Sequence, residues 1–71
     1  MDELKRVLFD VVGDYVNPDT LTIEEKPNGN VWVLSKIRIP EGLQKMAQND
    51  LDRRLEGTKF EDKVNLYWPV N

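Results

Sequence analysis

The spacing of apolar residues changes abruptly along this chain, and that change limits the folds open to it. In residues 1–16 the apolar side chains recur three and four positions apart, which is the period of an amphipathic helix. Asn17–Pro18 ends this helix, because proline restricts the residue before it and has no N–H for the helical ladder. From residue 21 onward apolar and polar residues alternate, which is the period of a strand. The apolar side of the predicted helix carries Leu4, Val7, Leu8, Val11, Val12, Tyr15 and Val16.

The alternating region predicts a β-hairpin. Its first strand holds Leu21 and Ile23, and the segment Lys26-Pro27-Asn28-Gly29 has proline and glycine where a tight turn needs them. The second strand is predicted over residues 31–39, is rich in β-branched residues and ends at Pro40. Its inward side is expected to carry Val31, Val33, Ser35, Ile37 and Ile39, and its outward side Trp32, Leu34, Lys36 and Arg38.

A second helix and a third strand complete the pattern. The helix is predicted from about Glu41, and Gly57 supplies its C-terminal cap. Its middle is rich in Asn, Asp and Gln, so we expect either one helix or two short ones. Residues 58–62 are expected as a loop and residues 63–68 as the last strand, with Pro69 at its edge or end. The apolar side of the helix holds Leu43, Met46, Ala47, Leu51 and Leu55, and the inward side of the strand Val64, Leu66 and Trp68.

The order of elements, α–β–β–α–β, predicts an α+β domain with two layers. Each strand has one apolar face and each helix one apolar side, so both helices are expected on one face of a three-stranded, mostly antiparallel sheet. A chain of 71 residues is below the usual size of two domains, so residues 1–71 are expected as a single domain. The core of so small a domain is limited, so either its packing is efficient or a partner surface contributes, which leaves self-association as a homodimer open.

The residue types that are absent exclude most kinds of catalysis. The chain has no cysteine and no histidine, so the thiolate nucleophile, the near-neutral general base and the commonest transition-metal ligands are missing. The acidic pairs Asp10/Asp14 and Asp50/Asp52 have no third ligand at metal spacing and are expected on solvated helix surfaces. We therefore predict a protein that is not an enzyme and that uses no cofactor, metal or small-molecule substrate.

Charge and hydropathy bear on location. Ten Lys and Arg against thirteen Asp and Glu give a net charge of −3, which argues against attachment to nucleic acid by bulk charge alone. No apolar run approaches the roughly 18 residues of a membrane helix, and the acidic start Met1-Asp2-Glu3 is unlike a signal peptide. A cytoplasmic protein without a membrane segment is therefore expected.

The first part of the chain resembles the small bacterial KH domains of the type II arrangement. The residues that carry the resemblance lie within 3–46: a helix, Asn17-Pro18-Asp19, two strands joined by a turn, and Pro40-Glu41 opening a second helix. The resemblance implies single-stranded RNA that is held in a groove and clamped by a Gly-x-x-Gly loop between two helices. That loop would fall at residues 48–51, where both glycines are absent.

The outward face of the sheet is the strongest candidate site. If the alternation holds, four cations and one anion lie there, a local charge of +3 that leaves −6 on the rest of the molecule. Aromatic rings among cations suit a protein interface and nucleic-acid bases alike, and they also pack on one another as ordinary cross-strand neighbours. The predicted partner-binding residues are Trp32, Leu34, Lys36, Arg38, Lys63 and Tyr67, accompanied by Thr22, Glu24, Lys26 and Asn65.

A second group of cations lies on the second helix. Lys45, Arg53 and Arg54 either contact a phosphate backbone or pair with acidic residues one helical turn away. Taken with the sheet face, they leave two functions open. We predict a binding module that acts through protein–protein interaction, as an adaptor, an inhibitor or by self-association. The alternative is a KH-like RNA-binding or ribosome-associated protein.

Overall fold

The first helix follows the predicted apolar spacing. The structure is a computed structural model and describes residues 2–70. Helix α1 spans Asp2–Val11 and continues into a single 3-10 turn over Val12–Asp14, where Gly13 weakens the α-helix. Leu4, Leu8 and Val12 of this segment are completely or almost completely buried. The predicted helix and its buried side are therefore confirmed.

Two strands form the predicted hairpin. Strand β1 spans Leu21–Glu25 and strand β2 spans Val31–Ser35, and they pair antiparallel. The Gly29 N–H donates to the Lys26 carbonyl at 3.0 Å, and Gly29 has φ +88°, a value that glycine adopts without strain. The predicted turn chemistry is thus present.

Helix α2 is a single helix over Glu41–Leu55, so the alternative of two short helices is wrong. Two features keep its polar middle helical: Leu51 is buried there, and the Gln48 side chain donates to Asp52 one turn later at 2.8 Å. Gly57 follows with φ +78°, as a helix cap requires. Helix α2 is the crossover to strand β3 (Val64–Tyr67), which lies parallel to β2.

The strands form one sheet in the order β1–β2–β3, with both helices on one face. The sheet is mixed, and its antiparallel β1–β2 ladder is one residue pair longer than the parallel β2–β3 ladder. The two-layer α+β architecture is confirmed. Its core comprises Leu4, Leu8, Val11, Val12, Val16, Val31, Val33, Ala47, Leu51, Leu55, Val64 and Leu66.

Strand β2 ends four residues earlier than the sequence predicts. The Ser35 hydroxyl donates to the Ile37 carbonyl at 2.7 Å and accepts from the Ile37 N–H at 3.1 Å, a local turn that competes with the strand ladder. Ile37 was predicted to face the core, and this was wrong, because 46% of its surface is exposed. Lys36 and Arg38 consequently lie beyond the end of the strand.

The apolar side of α2 is also shorter than predicted. Leu43 and Met46 were assigned to the core, but they are 39% and 53% exposed. Residues four apart on an α-helix drift by about 40° per step around its axis. The line that buries Ala47, Leu51 and Leu55 has therefore turned away from the sheet by the time it reaches Leu43.

Candidate functional site

The outer face of the sheet is the side opposite the two helices, and strand register fixes its members. Trp32 lies between Glu24 of β1 and Asn65 of β3. Leu34, two residues further along β2, lies between Thr22 and Tyr67. Because side chains alternate along a strand, these six share one face, while their neighbours face the core. The members of the outer face are Thr22, Glu24, Trp32, Leu34, Asn65 and Tyr67.

Trp32 and Tyr67 form an exposed aromatic pair in the middle of the outer face. Their ring centroids are 5.1 Å apart and the ring planes are tilted by 52°, a favourable geometry for diagonal neighbours on adjacent strands. Trp32 remains 36% and Tyr67 42% exposed, and Leu34 beside them is half-buried. The three side chains form a continuous apolar patch with one phenol hydroxyl at its border.

Lys26 covers part of this patch. Its ammonium lies 4.0 Å from the centroid of the Trp32 ring and 3.2 Å from Glu24 Oε1. A cation over an indole face contributes about 0.5–1 kcal/mol at exposed sites. Lys26 is therefore held in place by two partners, and one side of the indole is already occupied.

The outer face is less basic than the sequence suggests. Arg38 donates to the carbonyls of Pro69 and Val70 at 3.2 and 2.7 Å, so it ties the C-terminal segment to the loop after β2. Lys36 directly follows β2, and its N–H continues the ladder with β1 by donating to the Thr20 carbonyl at 3.0 Å. With Arg38 removed, Lys26, Lys36 and Lys63 against Glu24 give three cations and one anion, a charge of +2 instead of +3.

Lys63 stands at the hairpin end of the outer face. It directly precedes β3, and its carbonyl accepts from the Val31 N–H at 2.8 Å. Its ammonium lies 3.7 Å from the point that a Cβ on Gly29 would occupy. Lys63 and Lys26 therefore place the positive charge of the face at the end where the β1–β2 turn lies.

The cations of α2 lie on the helical side of the molecule, away from the outer face. Arg54 pairs with Asp10 of α1 at 3.5 Å, and both side chains are more than half exposed. Lys45 and Arg53 are exposed. Residues 48–51, where the KH resemblance would place a clamp loop, are continuous α-helix. The structure thus separates Lys45, Arg53 and Arg54 from the aromatic pair.

A polar cleft of about 300 Å³ separates the end of α1 from α2. At its side Tyr15 donates to Asp50 Oδ2 at 2.5 Å, and this hydrogen bond, with some desolvation, raises the pKa of the Tyr15 phenol above 10.0. Within residues 2–70, no cluster of three or more acidic side chains is arranged to hold a metal ion. Charges of both signs line the cleft, which contains Asp10, Val11, Asp14, Asp50, Arg53 and Arg54.

Sequence reasoning missed a second, apolar groove, which lies between α1 and β1. Its volume is about 280 Å³, and Phe9 on its rim is 55% exposed. Phe9 lies outside the buried side of α1. A large aromatic residue on the polar side of an amphipathic helix was therefore the sequence feature that could have indicated this groove. The groove is lined by Lys5, Leu8, Phe9, Pro18, Asp19, Leu21 and Ile23.

Comparisons of the chain with protein-family models, with curated proteins and with solved structures found no match. The resemblance to KH domains consequently stays a prediction. In the part of the chain that the structure describes, neither helix has both the length and the apolar character needed to cross a membrane.

Proposed function

We propose that this protein is a non-enzymatic binding module whose outer sheet face docks onto another protein. The observation that carries the proposal is the exposed Trp32–Tyr67 pair with Leu34 beside it. Tryptophan and tyrosine dominate the energetics of protein interfaces, because they bury a large area and still offer a hydrogen-bonding group. An apolar cluster in the centre of a flat sheet, with polar residues around it, has the layout of such an interface.

The charges around the patch specify the chemistry of the partner. Lys26 and Lys63 place positive charge at the hairpin end, whereas the chain as a whole carries −3. A protein surface with an apolar centre and carboxylates on one side would match this face and would be repelled by the rest of the molecule. The absence of cysteine suits the reducing cytoplasm, where we propose that the protein acts as an adaptor or inhibitor.

RNA binding is the alternative, and two observations make it the weaker one. Bases stack on free aromatic faces, but Lys26 already covers the Trp32 indole and Tyr67 packs beside it. Attraction of phosphates needs a basic surface, and the face carries a charge of only +2 in a chain of net charge −3. Both observations favour a protein partner over a nucleic acid.

The test compares Trp32→Ala with Met46→Ala, a matched control that removes another exposed large side chain from α2. Both variants are checked for folding by circular dichroism and are then used as affinity baits in native extract, with and without nuclease. The proposal expects a nuclease-resistant protein that wild type and Met46→Ala retain and Trp32→Ala loses. With the purified partner, Trp32→Ala should weaken binding by at least about tenfold, the loss typical of a central aromatic anchor.

The salt dependence of binding distinguishes a protein partner from RNA. Binding to RNA should weaken steeply as salt rises because counterions are released, and it should weaken further in a Lys36→Ala variant. A protein interface centred on Trp32 should respond weakly to both changes. Capture that nuclease abolishes, or equal capture by Trp32→Ala and wild type, would refute the proposal.

A further inference from the structure

The two edges of the sheet differ in whether a side chain occupies their outward backbone hydrogen-bonding groups. At the β3 edge, the Gln48 side chain of α2 accepts from the Leu66 N–H at 2.8 Å and donates to the Val64 carbonyl at 3.2 Å. One amide thus occupies the central two of the four hydrogen-bonding groups that Val64 and Leu66 turn away from β2. A neighbouring strand would use the same groups, so the side chain closes this edge against further pairing.

The edge formed by β1 is open. The Lys26 N–H donates to Asn30 and the Lys36 N–H donates to Thr20, which shows that the even-numbered residues of β1 bond to β2. In an antiparallel ladder the odd-numbered residues then point their N–H and C=O groups the other way. Within residues 2–70, no side chain hydrogen-bonds to the outward backbone groups of Ile23 or Glu25.

The apolar groove between α1 and β1 runs beside this open edge. Ile23 supplies its N–H and carbonyl to the edge, whereas Leu21 supplies only its carbonyl, because the Leu21 N–H donates to the Pro18 carbonyl. Both residues place side chains in the groove, while Phe9 of α1 stands over it, half exposed. An added strand would therefore gain main-chain hydrogen bonds and an apolar contact together, which is how strand addition combines affinity with selectivity.

We propose that a second copy of this chain occupies the open edge, with β1 pairing antiparallel to β1 of the second copy about a two-fold axis at Ile23. Each Ile23 then faces its counterpart, and each Leu21 faces Glu25 of the other copy. This register pairs every outward-facing residue of β1 with another outward-facing residue. The two three-stranded sheets join into one of six strands, and the two α1 helices share one face.

The charges along β1 fit this occupant. Glu25 faces Leu21 and Glu24 faces Thr22, so no like charges stand directly opposite one another. The two Glu24 side chains lie diagonally, and each is neutralised by its own Lys26 at 3.2 Å. The rim of each groove carries one cation, Lys5, and one anion, Asp19, so two grooves that meet across the axis can pair unlike charges.

The closed β3 edge limits the assembly to two copies. Once the two β1 strands have paired, the edges left within residues 2–70 of each copy are the β3 strands, and a Gln48 side chain occupies the central outward groups of each. Pairing through an identical strand thus uses every open edge and stops there, as a closed two-fold interface does.

Disulfide trapping tests the register, since the chain has no cysteine of its own. In the proposed dimer, Thr22 and Glu24 of opposite copies form a non-hydrogen-bonded pair with Cα atoms about 4.5 Å apart, within disulfide range. Diagonal positions, such as the two Thr22 residues, are about 7–8 Å apart. Mixing Thr22→Cys with Glu24→Cys chains under mild oxidation should therefore give covalent dimers several-fold faster than either chain alone. Equal rates in the three samples, or no dimer, would refute this register.

A second comparison uses Glu25, whose side chain is exposed and whose N–H points outward. Glu25→Pro removes that donor, and Glu25→Thr is the matched control, because it removes the same charge but keeps the N–H. In sedimentation over about a hundredfold range of concentration, wild type and Glu25→Thr should approach twice 8.3 kDa. Glu25→Pro should dimerise at least about tenfold more weakly, because two-fold symmetry removes the bond twice.

Three results would overturn the proposal: a monomer at all concentrations, equal dimerisation of the two Glu25 variants, or a dimer that only Trp32→Ala disrupts. The last would show that the outer face is the contact between copies. Since the β1 edge and the outer face are different surfaces, Glu25→Pro should keep the partner that Trp32→Ala loses. The failure of one proposal is thereby distinguished from the failure of the other.

Discussion

Replacing Gln48 with alanine should destabilise this protein more than its partial exposure suggests. The Gln48 side chain lies on α2 and makes two hydrogen bonds to the backbone of β3, at 2.8 Å to the Leu66 N–H and 3.2 Å to the Val64 carbonyl. Val64 and Leu66 are 2% and 9% exposed, so water has little access to the groups that the substitution leaves behind. The alanine variant therefore loses two bonds and leaves a donor and an acceptor without partners.

The size of the effect follows from those partners. A buried polar group left unsatisfied costs about 1–3 kcal/mol. We expect Gln48→Ala to lower the free energy of unfolding by about 2 kcal/mol, a large part of the roughly 5 kcal/mol at the lower end of natural domains. Gln48→Glu should fall in between, because a carboxylate still accepts from the Leu66 N–H but cannot donate to Val64. Asp52→Ala removes only the exposed 2.8 Å link to Gln48 and should cost at most about 0.5 kcal/mol.

Urea unfolding measures these differences. With an m-value of about 1 kcal/mol/M for a small domain, Gln48→Ala should lower the midpoint by roughly 2 M and Asp52→Ala by no more than about 0.5 M. Hydrogen exchange provides a local readout, since the Leu66 amide should lose protection in Gln48→Ala and keep it in Asp52→Ala. Equal midpoints for the two alanine variants, or an unchanged Leu66 exchange rate, would show that Gln48 does not close the β3 edge.

Three further substitutions test the core, the turn and the helix contact. Leu51→Ala should cost about 2–5 kcal/mol because Leu51 is fully buried, whereas Leu43→Ala, at 39% exposure, should cost under about 1 kcal/mol, and comparable urea midpoints would contradict this contrast. Gly29→Ala should cost about 1–2 kcal/mol because of the φ of +88°, measured as a lower melting temperature, and an unchanged one would contradict it. The raised pKa of Tyr15, caused mainly by its hydrogen bond to Asp50, stabilises the fold fully below about pH 10, and this stability is lost as the pH rises through the folded-state pKa. Tyr15→Phe should therefore lose less stability than wild type as the pH rises above about 10, and equal losses would contradict the contact.

Hydrophobic spacing predicted most of the fold. The helical period of residues 1–16, the Asn17–Pro18 stop and the turn at Gly29 are local signals, and the structure contains all three elements. The errors arose where a side chain bonds to nearby backbone or where a helix face drifts. The Ser35 hydroxyl ended β2 early, and Leu43 turned away from the core. Neither strand alternation nor the helical period takes into account a side chain that bonds to nearby backbone or a helix face that turns away from the core.

The predictions for the candidate site were also right where they depended on alternation and wrong where they depended on the length of a strand. Trp32, Leu34 and Tyr67 share the outer face as predicted, since alternation along a strand determines which side a residue faces. The position of Arg38 depended on the length of β2, and with β2 ending at Ser35 its side chain bonds to the C-terminal carbonyls instead. The pairing of Trp32 with Tyr67 also needed the parallel β2–β3 register, which a crossover of this length does not specify from sequence.

The state of the two sheet edges, open or closed, could be seen only in the structure and not in the sequence. A hydrophobic pattern assigns residues to faces, but an edge is defined by backbone groups, which every residue other than proline carries alike. In the sequence Gln48 counted only as one residue of the polar middle of the second helix, at the position of the expected clamp loop. In the structure it bonds to residues 16 and 18 positions away and occupies two of the outward groups of β3, while within residues 2–70 no equivalent side chain protects β1. This asymmetry, more than the net charge or the missing histidine, is the basis of the proposed dimer. In that dimer the sheet extends once, through the open β1 edge, and the aromatic outer face stays free for the proposed partner.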